Sequence, residues 1–275
     1  MAEMKQEPFH CPVCGGEPHD AGKELGGYAL SACGGCGLRY APGAFGTDVD
    51  YSAVYEGAQY RQDQVDDLLA GLGDPGRFAR MLTYRAFFRR ISPFGERRLL
   101  DVGCGVGRFG LAAASRGWAV RGVDRSERAV DIARKHTNLV VGTEETGDLE
   151  SLGERFEVVT AFEVLEHLSD PLGFLDGIRR LLKPGGRFFA TVPNWGAPSV
   201  QAAVRPDWLP PIHLCFHTVS SLVTLGTRSG FRSARVGVIH AEPLTWRPRP
   251  LAGWIVHRLA GRPNEPVGLW LDAEA

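Results

Sequence analysis

The sequence predicts an α/β fold: a Rossmann-like parallel sheet covered by helices on both faces, preceded by a small ribbon. Three observations carry that expectation. Apolar, strand-like runs at 98–103, 119–123, 138–141, 156–161, 186–192, 232–240 and 267–273 alternate with helix-like stretches near 108–116, 126–135, 171–182 and 218–229. Such alternation is what parallel strands joined by covering helices require. The first strand runs into glycines at alternate positions, Gly103, Gly105 and Gly107. Four of the six cysteines fall within the first 36 residues, in two matched pairs.

The N-terminal element is a ribbon, assigned to 1–45. Cys11-Pro-Val-Cys14 and Cys33-Gly-Gly-Cys36 are separated by 18 residues. Each pair is followed by a glycine, Gly15 or Gly37, that lets backbone amides turn toward thiolate sulfur. Tetrahedral zinc takes four thiolates at this spacing, so one structural Zn2+ is expected on Cys11, Cys14, Cys33 and Cys36. Disulfides and a redox pair are the alternatives. The first is disfavoured in a chain with no export signal, the second by two matched pairs. Short strands around a metal are too small to fold without it.

Residues 46–92 read as linker and helical cap. The 41–74 stretch carries Gly, Pro and many acids, with Tyr51, Tyr55 and Tyr60 interspersed. Phe78, Met81, Leu82, Arg85 and Phe88 then recur at three-to-four spacing, which predicts one helix over 75–91. Its five arginines (Arg77, Arg80, Arg85, Arg89, Arg90) read as a solvated face, with a basic patch as the alternative. Residues 93–275 form the main domain. Within it 241–266, rich in Pro, Arg and Trp, shows no crossover pattern and reads as an insertion.

The strand Leu99-Leu-Asp-Val102 turning through the three glycines, with Asp124 ending the next strand, describes a nucleoside-cofactor site. Glycine permits positive φ and lets a ligand lie against backbone, and an acid about twenty residues on can hold a ribose hydroxyl pair. Gly105 to Gly110 also fits GxGxxG. However, pyrophosphate on a helix N-terminus disfavours a nearby anion, and Asp101 stands two residues before the first glycine. A cationic ligand fits better, and S-adenosylmethionine carries an ammonium, a sulfonium and a ribose.

Beyond this loop the chain resembles class I S-adenosylmethionine-dependent methyltransferases of the type 11, 12 and 23 groups. Phe162-Glu-Val-Leu-Glu-His-Leu-Ser-Asp-Pro171 is similar to their segment after the fourth strand, and Leu181 to Pro193 to their helix, turn and fifth strand. Pro211-Ile-His-Leu-Cys-Phe-His-Thr218 is similar to a substrate-side loop, and Ser229-Gly-Phe231 to the entry into strand six. The resemblance spans roughly 93–240. It implies a seven-stranded, mostly parallel sheet ending in an antiparallel hairpin, with 241–266 at the hairpin's tip. Gly103, Gly105 and Gly107 would face the methionine part, with Asp101 near its ammonium. Asp124 would take both ribose hydroxyls, Arg125 would stack beside adenine, and Thr143 and Glu144 would meet the adenine edge. Phe162 and Glu163 would border the sulfonium.

Methyl transfer to a hydroxyl or carbon acid needs a base. His213 and His167 are the catalytic candidates, while His217 stands where an aromatic packing residue is usual. Sugar C-methyltransferases with an N-terminal zinc domain resemble this chain but carry Glu-His where it has Ile212-His213. That difference weakens a carbanion mechanism and leaves His213 as the single base. The expected reaction is methylation of a small molecule or glycan at oxygen or carbon.

Two other readings stay open. One is an rRNA or tRNA methyltransferase gripping phosphate through the ribbon, as in a bacterial ribosomal RNA guanine methyltransferase. The other is a non-catalytic S-adenosylmethionine-binding protein. Formal net charge −1, and only Lys23 and Arg39 as basic residues between Cys11 and Tyr40, disfavour the nucleic-acid reading. A length of 275 residues with 44% hydrophobic content suits one large core plus an appendage. With neither an export signal nor an apolar run of about 18 residues, a cytoplasmic chain without a membrane span is expected. Oligomeric state is not readable.

Overall fold

The structure is a computed structural model and describes residues 10–47, 49, 59–144, 148–241 and 265–275. Tyr51 and Tyr55 of the linker and most of the 241–266 insertion lie outside the described residues. The ribbon opens with a hairpin, β1 (Pro18–Leu25) and β2 (Tyr28–Cys33), followed by the short β3 (Arg39–Tyr40). Helices α1 (Gln59–Gly71) and α2 (Leu82–Phe88) lead into the main sheet. There β4 (Arg98–Val102), α3 (Arg108–Ala114), β5 (Ala119–Val123), α4 (Glu127–His136), β6 (Val140–Gly142), β7 (Phe156–Phe162), α5 (Pro171–Leu181) and β8 (Leu182–Pro193) alternate as expected. The chain closes with α6 (Pro198–Ala202), β9 (Cys215–Phe216), α7 (Val219–Arg228), β10 (Ser233–His240) and β11 (Pro266–Glu274).

The seven-stranded sheet has the order β10-β11-β8-β7-β4-β5-β6. Strands β8, β7, β4, β5 and β6 pair in parallel, whereas β11 runs antiparallel to both β8 and β10. The expected hairpin is therefore present. Alternate residues of the central strands feed two cores, as the period of a strand demands. Leu100, Val159 and Phe188 join a cluster containing Ile178 of α5 and Leu222 of α7. Leu99, Val158 and Phe189 join Phe87 of α2 and Phe109 of α3. Caps set the helix starts: Ser126 accepts from Ala129, Asp170 from Gly173 with Pro171 at the first helical position, and Thr218 and Ser221 form a capping box.

The single helix expected over 75–91 is two elements. A 3-10 turn over Pro75–Arg80 stops at Met81, whose backbone is extended, and α2 begins afterwards. Phe78 is driven inward there: it packs so closely on Gly71 that a Cβ at Gly71 would lie 2.2 Å from its ring. Arg80, Arg89 and Arg90 are exposed, as a solvated face requires, and at least three of the five arginines have partners within the chain. Arg77 bonds Asp67 at 2.8 Å, Arg80 reaches Asp74, and Arg90 lies 3.8 Å over the Trp270 ring.

The ribbon joins the rest of the chain through a second sheet, of order β1-β2-β3-β9. Its fourth strand, β9, comes from the 211–218 loop, with Arg39 opposite Phe216 and Tyr40 opposite Cys215. The Ala41 amide donates to Leu214 at 3.0 Å. Ribbon residues Val13, Leu30, Leu38 and Tyr40 are fully buried in the same cluster as Trp195, Leu214 and Phe216. Among the described residues no helix is long and apolar enough to cross a membrane.

Candidate active site

At the carboxyl end of β4, Asp101 precedes a turn through three glycines. Gly103, Gly105 and Gly107 all have positive φ (72°, 54° and 87°), a region that L side chains enter at a cost. A Cβ at Gly103 would lie 2.6 Å from Val164 Cγ2, so this loop meets the segment after β7 at backbone range. Asp101 is 2% exposed and takes the Thr160 hydroxyl at 2.8 Å. Burial raises its carboxyl to about 7. Asp124, ending β5, accepts the Gly105 amide at 2.7 Å and the Ser126 amide at 2.9 Å, one on each oxygen. A carboxylate offers about four acceptor sites, so capacity for a pair of hydroxyls remains.

The other residues singled out by sequence are placed unevenly. Arg125 and Thr143 are exposed beside β5 and β6. Glu144 is turned to Arg121, whose Nη2 donates to Oε1 at 2.9 Å, and its Oε2 is buried without a partner. The Phe162 ring lies in the aromatic cluster, its centroid 4.5 Å from Phe109 and 4.9 Å from Tyr84. Glu163 has φ 57°, a strained setting for a non-glycine residue. Its amide donates to the Thr191 carbonyl at 3.0 Å and its carboxylate accepts the Thr191 hydroxyl at 2.8 Å. Burial raises that carboxyl to about 7.

The turn after β7 and the loop before β9 run side by side. Leu214 N–H donates to the Glu166 carbonyl at 2.8 Å, and the Cys215 thiol to Leu168 at 3.4 Å. His167 Nδ1 lies 2.8 Å from the Ile212 carbonyl. A carbonyl only accepts, so Nδ1 carries the proton and neutral His167 keeps its lone pair on Nε2. The His213 ring meets His167 edge to face at 4.6 Å and stacks on Trp208 at 5.8 Å. The two histidines, separate in sequence, thus form one cluster. His213 is 6% exposed, and burial, His167 and Arg205 hold its imidazole well below the usual range. Glu166, 2% exposed, has neither carboxyl oxygen hydrogen-bonded, and burial pushes it well up. His217 is buried against α7, 3.4 Å from the Ser221 hydroxyl, and burial lowers it to about 4.

Sequence reasoning missed Thr160, Thr191 and Trp208, and gave Glu166 no role of its own. The signal for Glu166 was its spacing, an acid three residues after Glu163 and next to His167. Trp208 has no local signal.

The four ribbon cysteines converge. Their sulfurs lie within 4.8 Å of one another, with Cys14–Cys33 at 3.2 Å and Cys11–Cys36 at 3.6 Å, and all are free thiols. The Gly15 and Gly37 amides donate to the Cys11 and Cys33 carbonyls at 2.8 Å and close the two turns. The amides that meet sulfur belong to Val13, Cys14, Gly16 and Leu38. Four converging soft donors held this way suit a closed tetrahedral metal site.

The sequence pattern of a family described as "Methyltransferase domain" matches residues 72–235. The chain belongs to this family. Among curated proteins, it is similar to a ubiquinone biosynthesis O-methyltransferase of Cereibacter sphaeroides, 40% identical over 123 residues, which cover 42% of this chain and 50% of that protein. It is similar also to one of Paracidovorax citrulli, 31% identical over 169 residues, covering 58% and 71%. The chain spans about half the length of the first of these relatives. Among solved structures, an S-adenosylmethionine dependent methyltransferase of Mesorhizobium loti matches with a TM-score of 0.54 at 22% identity, over 72% of this chain and all of that one. At that identity the likeness speaks for the fold, and it is the fold of this family.

Proposed function

We propose that this chain is an S-adenosylmethionine-dependent methyltransferase acting on a hydroxyl of a small molecule or glycan. The observation that carries the proposal is a set of three carboxyls, buried Asp101 and Glu166 with Glu163 between them, at the strand ends beside the glycine loop. Among the described residues none of them is ion-paired. Uncompensated buried acids favour a cationic ligand and oppose pyrophosphate. The domain plan is a ribbon over 1–45, a cap over 46–92 and the catalytic unit over 93–275.

Gly103, Gly105 and Gly107 would hold the methionine part, Asp101 its ammonium, and Asp124 the ribose, with Arg125, Thr143 and Glu144 at the adenine. S-adenosylmethionine supplies an electrophilic methyl when bound. Neutral His213, with His167 beside it, accepts the acceptor hydroxyl's proton. Trp208 and the half-buried loop around it would shield and orient the acceptor, and positioning and base catalysis together account for many orders of magnitude. The curated relatives are named O-methyltransferases, and Ile212 gives His213 no adjacent acid, so oxygen is favoured over carbon. Cys11, Cys14, Cys33 and Cys36 would bind one structural zinc.

Calorimetry with S-adenosylhomocysteine and with NAD tests the reading, followed by transfer of an isotope-labelled methyl to a panel of phenols and glycans. Binding of the first nucleoside and label on a hydroxyl are expected. Preferred binding of NAD would overturn the reading.

A further inference from the structure

Among the described residues Glu166 stands out as a buried carboxyl with both oxygens lacking a hydrogen-bond partner. Its carboxyl lies within 4.8 Å of ligand-type nitrogens of His167 and His213. A buried polar group without a partner costs a few kcal/mol and persists where something else depends on it. Its backbone is tied to the same loop, because its carbonyl takes the Leu214 amide. The His213 ring makes its contacts by faces and edges, with His167, Trp208 and Phe216.

We propose that Glu166 is the positioning carboxyl of the proton-accepting imidazole pair, supplying from the turn after β7 the acid that Ile212 does not supply on the loop. The inference rests on the methyltransferase reading above. As the acceptor oxygen bonds to the methyl carbon, the carbon–sulfur pair stays on sulfur and the hydroxyl proton passes to the His213 ring. That step leaves an imidazolium in a buried site. An opposite charge within about 4–6 Å favours such a cation, and Glu166 is the carboxyl in reach. In the ligand-free pocket burial favours the protonated form of Glu166 and the neutral form of His213. A cation entering beside Glu163 and Glu166 favours their ionised forms, so cofactor binding itself readies the pair. The other groups facing the cluster are Glu163, Arg205 and Cys215.

The experiment is a pH titration of histidine ring signals by NMR, on protein saturated with sinefungin, a non-reactive analogue bearing an amine near the sulfonium position. H213A and H167A assign the signals, and wild type is compared with E166Q and E166D. E166Q should lower the proton affinity of the pair at least tenfold, and E166D should restore part of it. S-adenosylhomocysteine, which lacks the sulfonium charge, shows whether each variant still folds and binds. A purely structural Glu166 would move thermal stability and leave the ring midpoints alone. Unchanged midpoints in a variant that still binds S-adenosylhomocysteine overturn the proposal by itself, as does stoichiometric Mg2+ or Zn2+ binding that shifts these rings and is lost in E166Q. Should E166Q not fold, the E166D midpoint decides, and a midpoint equal to wild type counts against the proposal. Failure of wild type to bind S-adenosylhomocysteine overturns the methyltransferase reading and this role with it.

Discussion

Asp124 illustrates how one side chain both builds and serves a site. Its oxygens tie the glycine loop to the start of α4 through the Gly105 and Ser126 amides, and the proposed ribose contacts use what capacity remains. Asp124→Ala should therefore lose about 1.5–3 kcal/mol of S-adenosylhomocysteine affinity, the range for hydrogen bonds to a charged group. Isothermal calorimetry measures it, and an unchanged constant would move the cofactor elsewhere. Asp101 and Glu163 lead to a second expectation. Their folded values of about 7 stand above ordinary values of 3.8 and 4.5. The folded protein thus holds protons that the unfolded chain releases, and the stability this gives below pH ~4 is lost as pH rises through ~7. A bound cation prefers the carboxylates. Affinity for S-adenosylmethionine should rise from about pH 6 to about pH 8, with protons released on binding. Calorimetry in buffers of different ionisation heat counts those protons, and a flat profile would separate the two acids from the ligand. The glycine turn after β4 was legible because a tight turn is written in local glycine spacing, whereas the Thr160 partner of Asp101, 59 residues away, was not. Nor was the pairing of Glu144 with Arg121, which sits on a neighbouring strand. Glu166 was not, because what marks it is the absence of partners, a product of burial alone.

Most strands and helices of the central sheet were legible to within about two residues, since their apolar faces repeat, though β8 begins four residues before the expected 186. Where a segment packs on something special, pattern fails. Phe78, Met81 and Leu82 have helical spacing, yet Met81 is extended because Phe78 seats on Gly71. At this scale the loop between β4 and α3 makes a sharp prediction. Gly103→Ala adds a methyl at φ 72° and 2.6 Å from Val164, which should cost about 1–3 kcal/mol. Thermal melts should show the drop and S-adenosylhomocysteine binding should weaken. A neutral substitution would mean the loop relaxes freely. The ribbon makes another prediction. Elemental analysis should find one equivalent of zinc, and Cys33→Ser should abolish it, because three thiolates and a hydroxyl bind far more weakly. Protein purified without chelator and containing no zinc would refute the site.

Across the whole molecule, the feature with the widest reach is the pairing of β3 with β9. Two-residue strands have no periodicity, so nothing in the chain announced it. From the cysteines, hydrogen bonds run through Ala41 to Leu214 and from Leu214 to Glu166, which places the proposed zinc and the proposed base in one continuous ladder. Removing zinc with a chelator should therefore speed amide exchange over 211–218 while leaving S-adenosylhomocysteine affinity within about threefold. Equal exchange before and after would show that the ribbon does not brace the loop. The same pairing sets an order of construction. Chains fold from the N-terminus as they are made, but the ribbon's last strand finds its neighbour only after β4 to β8 have been synthesised. Until then β3 is an open sheet edge, the kind of surface that recruits other strands. The histidine side of the pocket can therefore form only after the parallel strands β4 to β8, with β10 and β11 still to come.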